Sequence, residues 1–253
     1  MTQRLQDMVC VVTGAARGIG RAIAERCAAD GARIACLDVG DARLQAAIDE
    51  MCTTGIEARG YATDVGCRDA VQAAFERIEQ DFGAPIGVLV NNAVWARFQP
   101  LADIDVKTLD YMFAVGLQGL IWTLQAAAPQ MQRRGSGSVV NVCSTNALRG
   151  MPNSIAYAAM KAGVLGLTRS AAIELSPQRI RVNAVVPGMV ATHAVKANFS
   201  EATLAARVGA IPMSRFAEPS EIASVVAFLA SEESSYIQGA EIVVDGGWSV
   251  SAI

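Results

Sequence analysis

Short apolar runs alternate with helix-spaced patterns along the chain. Val9 to Val12 is the first run, and an Ala-rich helical pattern follows it to about Asp30. Similar runs at Arg33 to Leu37, Ala58 to Ala62, Val88 to Val90, Ser138 to Cys143, Ile180 to Val186 and Glu241 to Val244 read as strands. Between them, Asp41 to Cys52, Asp69 to Phe82, Leu101 to Arg134, Ser154 to Leu175 and Pro219 to Ala230 read as helices, with Pro129 placed to bend or shorten the third of these. This alternation predicts an α/β fold: a doubly wound parallel sheet of about seven strands with helices on both faces. Right-handed crossovers put every strand's C-terminal end on one rim, where Gly14, Asp38, Asn91, Ser144 and Pro187 fall. Ligands bind along that rim in open α/β sheets.

No Ser/Pro-rich linker or composition shift divides the 253 residues, so residues 1–253 read as one domain. Met189 to Met213 mixes polar residues with Val195, Phe199, Leu204 and Val208, the pattern of a flap at about 189–213 that closes over a ligand. Apolar residues make up 52% of the chain and charged residues 18%, which points to helix faces buried between subunits of a homo-oligomer. A net charge of −3 without clustered Lys or Arg argues against nucleic acid or a membrane surface as partner. The start carries no apolar leader-like region, and no apolar run approaches the roughly 18 residues of a spanning helix, so a soluble, cytoplasmic protein is expected. Six separated cysteines read as buried free thiols. With His193 the only histidine, no metal site and no His-activated nucleophile is expected.

The candidate chemistry begins after the first strand, at Thr13-Gly14-Ala15-Ala16-Arg17-Gly18-Ile19-Gly20. Strand, glycine-rich turn and helix in that order suit a pyrophosphate resting on the helix N-terminus. Asp38, 18 residues after Gly20, ends the second strand where a carboxylate accepts from both adenosine ribose hydroxyls and repels a 2′-phosphate. It favours NAD over NADP, although Arg17 pulls the other way. Asp64-Val65 lies where an adenine could rest, and Asp64 has a second reading as the cap of the next helix or of the turn before it. Further on, Ser144 follows a strand, and Tyr157 and Lys161, four apart on a helix, share one face. A phenol, an ammonium and a hydroxyl together make an acid–base constellation.

With these residues, the chain resembles the short-chain dehydrogenase/reductase family, of one-domain Rossmann type, over nearly all of Val9 to Gly247. The resemblance rests on the TGxxxGIG pattern at Thr13 to Gly20, Asn91-Asn92-Ala93, Ser144 thirteen residues before Tyr157, the YxxxK at Tyr157 to Lys161, Asn183, and Pro187-Gly188 with Thr192. It implies a cofactor held by Gly14, Arg17, Gly18, Ile19, Gly20, Asp38, Asp64, Val65, Asn91, Ala93, Pro187, Gly188, Val190 and Thr192, together with Tyr157 and Lys161. It also implies Tyr157 as general acid/base, Ser144 as donor to the substrate oxygen, and a tetramer built through the fourth and fifth helices and the last strand. A free tyrosine has a pKa of about 10, which Lys161 and the oxidised cofactor's charge would lower.

Two positions depart from the family pattern. Gly116 stands where the family carries a fourth catalytic residue, an asparagine that helps hold a relay water beside the lysine. Val94 replaces a glycine near the cofactor. Water alone, a nearby polar group, or an impaired relay are three ways the vacancy at Gly116 can be met. The substrate pocket is expected from Trp95, Ala96, Asn146, Leu148, Met151 and Asn153 with flap residues Met189, Val190 and Phe199. Arg97 or Arg149 could meet a carboxylate there, although each reads more simply as a surface charge. The resulting reading is an oxidoreductase moving a hydride between NAD(H) and a small apolar secondary alcohol or ketone. The alternatives are a weakened nucleotide-binding scaffold and an imine or enoyl reductase.

Overall fold

A computed structural model describes residues 3–193, 195 and 200–251, and within them the predicted alternation resolves into a seven-stranded parallel sheet. The strands are β1 (Val9–Thr13), β2 (Arg33–Asp38), β3 (Ala58–Ala62), β4 (Ile86–Asn91), β5 (Gly137–Val142), β6 (Ile180–Pro187) and β7 (Glu241–Val244). Their spatial order is β3-β2-β1-β4-β5-β6-β7, every neighbouring pair parallel. The order reverses direction between β1 and β4, which opens a crevice at their C-terminal ends.

The helices are α1 (Gly18–Ala29), α2 (Asp41–Thr53), α3 (Arg68–Phe82), α4 (Val106–Phe113), α5 (Gly119–Arg134), α6 (Ile155–Leu175), α7 (Glu201–Gly209) and α8 (Pro219–Ala230). Residues on alternate sides of each strand feed two cores. Cys10, Val12, Ile34, Cys36, Val88 and Val140 pack on α1, α2 and α8. Val9, Val11, Ala35, Leu37, Leu89 and Val139 pack on α3, α5 and α6. Strands β1, β4 and β5 are buried throughout, which explains their near-continuous apolar runs. Each fully buried Val, Leu or Ile contributes about 1.5–3 kcal/mol relative to exposure.

The stretch read as one helix from Leu101 to Arg134 is broken differently. A single 3₁₀ turn at Leu101–Asp103 precedes α4, and a π turn at Ala114–Gln118 separates α4 from α5. Pro129 sits inside α5 without ending it. Asp105 caps α4 by accepting from the Thr108 amide at 2.8 Å. The flap contains α7 among its described residues, whereas Phe199 lies outside them. All six cysteines are free, but only Cys10, Cys27, Cys36 and Cys143 are buried; Cys52 and Cys67 are exposed on or beside helix ends. Among the described residues, no helix is long and apolar enough to cross a membrane.

Candidate active site

The loop after β1 turns at Gly14, whose φ of +66° favours a residue without a side chain. Gly20, in the first turn of α1, lies so close beneath it that a Cβ there would stand 2.2 Å from the Gly14 carbonyl oxygen. A brace missed in the sequence fixes the loop. The Thr13 hydroxyl accepts from the Asn92 and Ala93 amides, each at 2.9 Å, and the Asn92 side chain donates to the Thr13 and Gly14 carbonyls at 2.9 and 3.2 Å. At its start, α1 has no side-chain cap and no acidic residue in its first turn. Its leading amides and positive dipole end therefore face a cleft of about 400 Å³.

Gly14, Arg17, Gly18, Ile19, Gly20, Asp38, Asp64, Val65, Ala93 and Thr192 come together around that cleft, along with Arg43, Tyr111 and His193. Asp38 accepts from the Ala16 amide at 3.1 Å and the Gly40 amide at 3.4 Å, so its carboxylate is fixed beside the glycine loop. Asp64 forms the turn read for it, its carboxylate accepting from the Gly66 amide at 2.9 Å, while it also lines the cleft. It also bonds the Tyr111 hydroxyl, and burial with this carboxylate raises the pKa of that phenol. Thr192 lies over the loop, with its methyl 3.6 Å from where a Gly18 Cβ would be. These groups fit a dinucleotide: bare amides for phosphates, a carboxylate for ribose hydroxyls and apolar walls for a ring.

Asn91, Gly188 and Val190, also expected at the cofactor, do not line this cleft. Asn91 is turned into the core, where its amide donates to Asn141 at 2.9 Å and accepts from Thr123 at 2.7 Å. Gly188 ties β6 to β7 through a 3.0 Å bond from its amide to the Val244 carbonyl, and Val190 pairs with Ala217. Trp95, expected at the substrate, lines the cofactor cleft beside Val94 and meets Tyr111 edge-on, centroids 5.3 Å apart.

Farther along the rim, β5 ends in Val142 and the chain passes through Cys143 to Ser144. Ser144 accepts from the Asn146 amide at 3.2 Å and hydrogen-bonds the Tyr157 phenol. Lys161 is buried; its ammonium donates to the Val142 carbonyl at 2.8 Å and lies 5.9 Å from the centroid of the Tyr157 ring. Burial pushes the Tyr157 phenol up to about 12 against the pull of its Ser144 bond, and burial lowers Lys161. The predicted triad is therefore one cluster, fixed by a strand end and one helix face.

Phe98, unnamed in the sequence reading, packs its half-exposed ring on Tyr157 with centroids 5.1 Å apart. Its loop is tied across the mouth of the site by the Gln99 amide, which donates to the Asn153 carbonyl at 2.9 Å. Leu148 is exposed nearby in sequence, whereas Asn146 is largely buried. Arg149 donates to the Trp248 carbonyl and stacks on that indole, and exposed Arg97 helps hold the Asp105 carboxyl below its usual range. Arg149 is thus engaged away from Tyr157, and Arg97 is exposed. The space expected to be vacant at Gly116 holds the side chain of Met160.

A family model described as enoyl-(acyl carrier protein) reductase matches residues 14–249. The chain is similar to the 3-oxoacyl-[acyl-carrier-protein] reductase FabG of Thermotoga maritima, at 38% identity over 96% of this chain and 98% of that protein. It superposes on a xylitol dehydrogenase solved with NAD+ bound, at a TM-score of 0.91 and 32% identity, over 96% of this chain and 100% of the other. A gluconate 5-dehydrogenase from Burkholderia cenocepacia, solved with NADP and tartrate, gives a TM-score of 0.94 at 29% identity, over 99% of this chain and 98% of the other. Fold, cradle, Ser–Tyr–Lys cluster and relatives agree: the chain belongs to the short-chain dehydrogenase/reductase family of oxidoreductases.

Proposed function

We propose that the protein moves a hydride between NAD(H) and a small apolar secondary alcohol or ketone, with Tyr157 as general acid/base. The observation that carries this reading is the Tyr157 phenol, bonded by Ser144 and with the Lys161 ammonium 5.9 Å from its ring centroid, on the rim that also bears the glycine cradle. Gly14, Gly18, Ile19 and Gly20 would hold the pyrophosphate, Asp38 the adenosine ribose, and Lys161 the other ribose. The dinucleotide supplies or accepts the hydride when bound.

The chain's own part is proton management. In carbonyl reduction, Tyr157 gives its phenolic proton to the oxygen that gains negative charge, while Ser144 donates to the same oxygen and orients it. In alcohol oxidation, the phenolate takes that proton back. With its pKa near 12 before any further positive charge arrives, Tyr157 is protonated at neutral pH and is there a proton donor. Reduction is the direction this protonation state supports.

The Asp38 carboxylate, braced by two amides, supports NAD over NADP. Phe98 and Leu148 supply apolar surface, and Arg149 is occupied at Trp248, which favours an uncharged substrate over an acid or a phosphate ester. A homotetramer is the proposed assembly, consistent with the exposed Ile121 on α5 and Ile155 and Ile173 on α6. Light scattering checks it, with a monomer at micromolar concentration counting against it. The decisive assay measures NADH and NADPH turnover separately on ketones, alcohols, imines and enones. Ketone reduction with NADH is expected to lead; NADPH preference or turnover confined to enones would overturn the assignment.

A further inference from the structure

The second turn of α6 carries a side chain that the proton chemistry does not use. Met160 lies between Tyr157 and Lys161 in sequence and is fully buried, in a cluster with Met112 of α4 and Ala156, bordered by Phe113, Leu117 and Tyr157. Its thioether fills the hollow over Gly116 in the π turn. A Cβ built on Gly116 would stand 2.0 Å from the Met160 sulfur and 2.9 Å from its terminal methyl carbon, well inside the roughly 3.5–4 Å of ordinary contact. A side chain at 116 would displace the Met160 thioether from this place, and Met160 reaches inward because glycine leaves room.

The same helix has no side-chain cap at this end. Its N-cap residue Ser154 makes no capping bond to the first turn, and its hydroxyl donates to the Met151 carbonyl at 2.6 Å. The turn that bears Tyr157 is held instead by the bonds of Tyr157 to Ser144 and of Lys161 to the Val142 carbonyl, together with the packing of Met160. Methionine, with three rotatable bonds and a polarizable sulfur, suits an irregular hollow of this kind. A π turn adds one residue to the helical path and so shapes that hollow.

We propose that Met160 is a positioning residue: its thioether, seated in the hollow that Gly116 leaves in the π turn, fixes the turn of α6 that brings Tyr157 to the substrate oxygen beside Ser144 and keeps Lys161 at its own place behind the phenol. The inference rests on the acid–base reading of those two residues, and it makes Gly116 and Met160 one unit rather than two separate departures.

The test is a size-exchange cycle in the full-length protein, assayed on 1-phenylethanol with NAD+ as probes, with thermal melts and NADH fluorescence titrations alongside. Met160→Ala is expected to lower kcat by about tenfold or more while the Kd for NADH stays within about twofold. Met160→Leu, of similar volume, is expected to keep at least about half of the parent kcat. Gly116→Ala drives a methyl into the sulfur and is expected to lower both kcat and the melting temperature. Gly116→Ala/Met160→Ala is expected to recover about tenfold of the kcat lost in Gly116→Ala, together with part of the melting temperature. Folded Met160→Ala with parental kcat overturns the proposal, as does a double variant no better than Gly116→Ala alone. Tyr157→Phe separates the two levels. Inactive Tyr157→Phe beside unimpaired Met160→Ala overturns the positioning role alone, whereas active Tyr157→Phe overturns the acid–base reading and the positioning role with it.

Discussion

The glycine cradle after β1 and the acid–base cluster after β5 share one rim, yet they are made of different material. The cradle is mainly backbone: a left-handed Gly14, an α1 start that only Gly20 allows, uncapped amides, and a Thr13–Asn92 brace whose bonds run largely to main-chain groups. The cluster is side chain on side chain: Tyr157 under Phe98 and against Ser144, and Met160 in the space at Gly116. A backbone device tolerates almost no change at its glycines and little cares what lies far away. A packed device can be rebuilt by exchanging volumes between partners.

That contrast can be broken or sharpened by measurement. The largest effect belongs to Tyr157→Phe, which should lower kcat by about 10²–10⁴-fold while the Kd for NADH, read by fluorescence, moves less than about twofold. A comparable rise in Kd would show that the two devices are not separable. Next comes pH. Because burial raises Tyr157 to about 12, its deprotonated fraction below that value grows about tenfold per pH unit. Alcohol oxidation should therefore climb steeply from pH 7 to 9, whereas ketone reduction, which needs the protonated phenol, should not rise over the same range. Initial rates in both directions decide this, and a flat oxidation profile would place the base elsewhere.

Smaller changes probe the cradle. Gly20→Ala costs about 1–3 kcal/mol through the clash with the Gly14 carbonyl, enough to weaken NADH binding by about tenfold or more in a titration. No compensating substitution is expected to restore it, in contrast to the pair at 116 and 160. Asp38→Ala should shift the ratio of kcat/KM for NADP+ over NAD+ upward by about tenfold and leave the Tyr157-dependent pH profile in place. A moved profile would mean that the carboxylate acts on the cluster as well.

The same difference in material explains how far the sequence could be read. Glycines, strand-end Asp38 and the spacing of Tyr157 and Lys161 are local signals, so the fold, the cradle and the triad were legible. Contacts across loops were not. Phe98 is one more apolar residue in its loop, and nothing local tells that its ring meets Tyr157. The π turn hid because the apolar pattern continues through its extra residue, so Leu101 to Arg134 read as one helix and the break was sought at Pro129. Asn91 belonged to a recognised pattern at a strand end, but a strand's two faces differ, and its side chain went to the inner one. Trp95 likewise swung toward Tyr111 and the cofactor cleft.

The inward turn of Asn91 matters in another way. Thr123 on α5, Asn91 on β4, Asn141 on β5 and Thr168 on α6 form a chain of three side-chain hydrogen bonds of 2.7–2.9 Å, buried across four elements. The strands around it are nearly interchangeable, with Val88, Leu89 and Val90 set against Ser138, Val139 and Val140. A slip of two residues would keep each side chain on its own face, so the alternation of faces alone does not forbid it. It would also strand the two amides in the core at about 1–3 kcal/mol for each unpaired group. The polar chain acts as a proofreader of assembly, letting a sheet built from repetitive valines close in only one alignment.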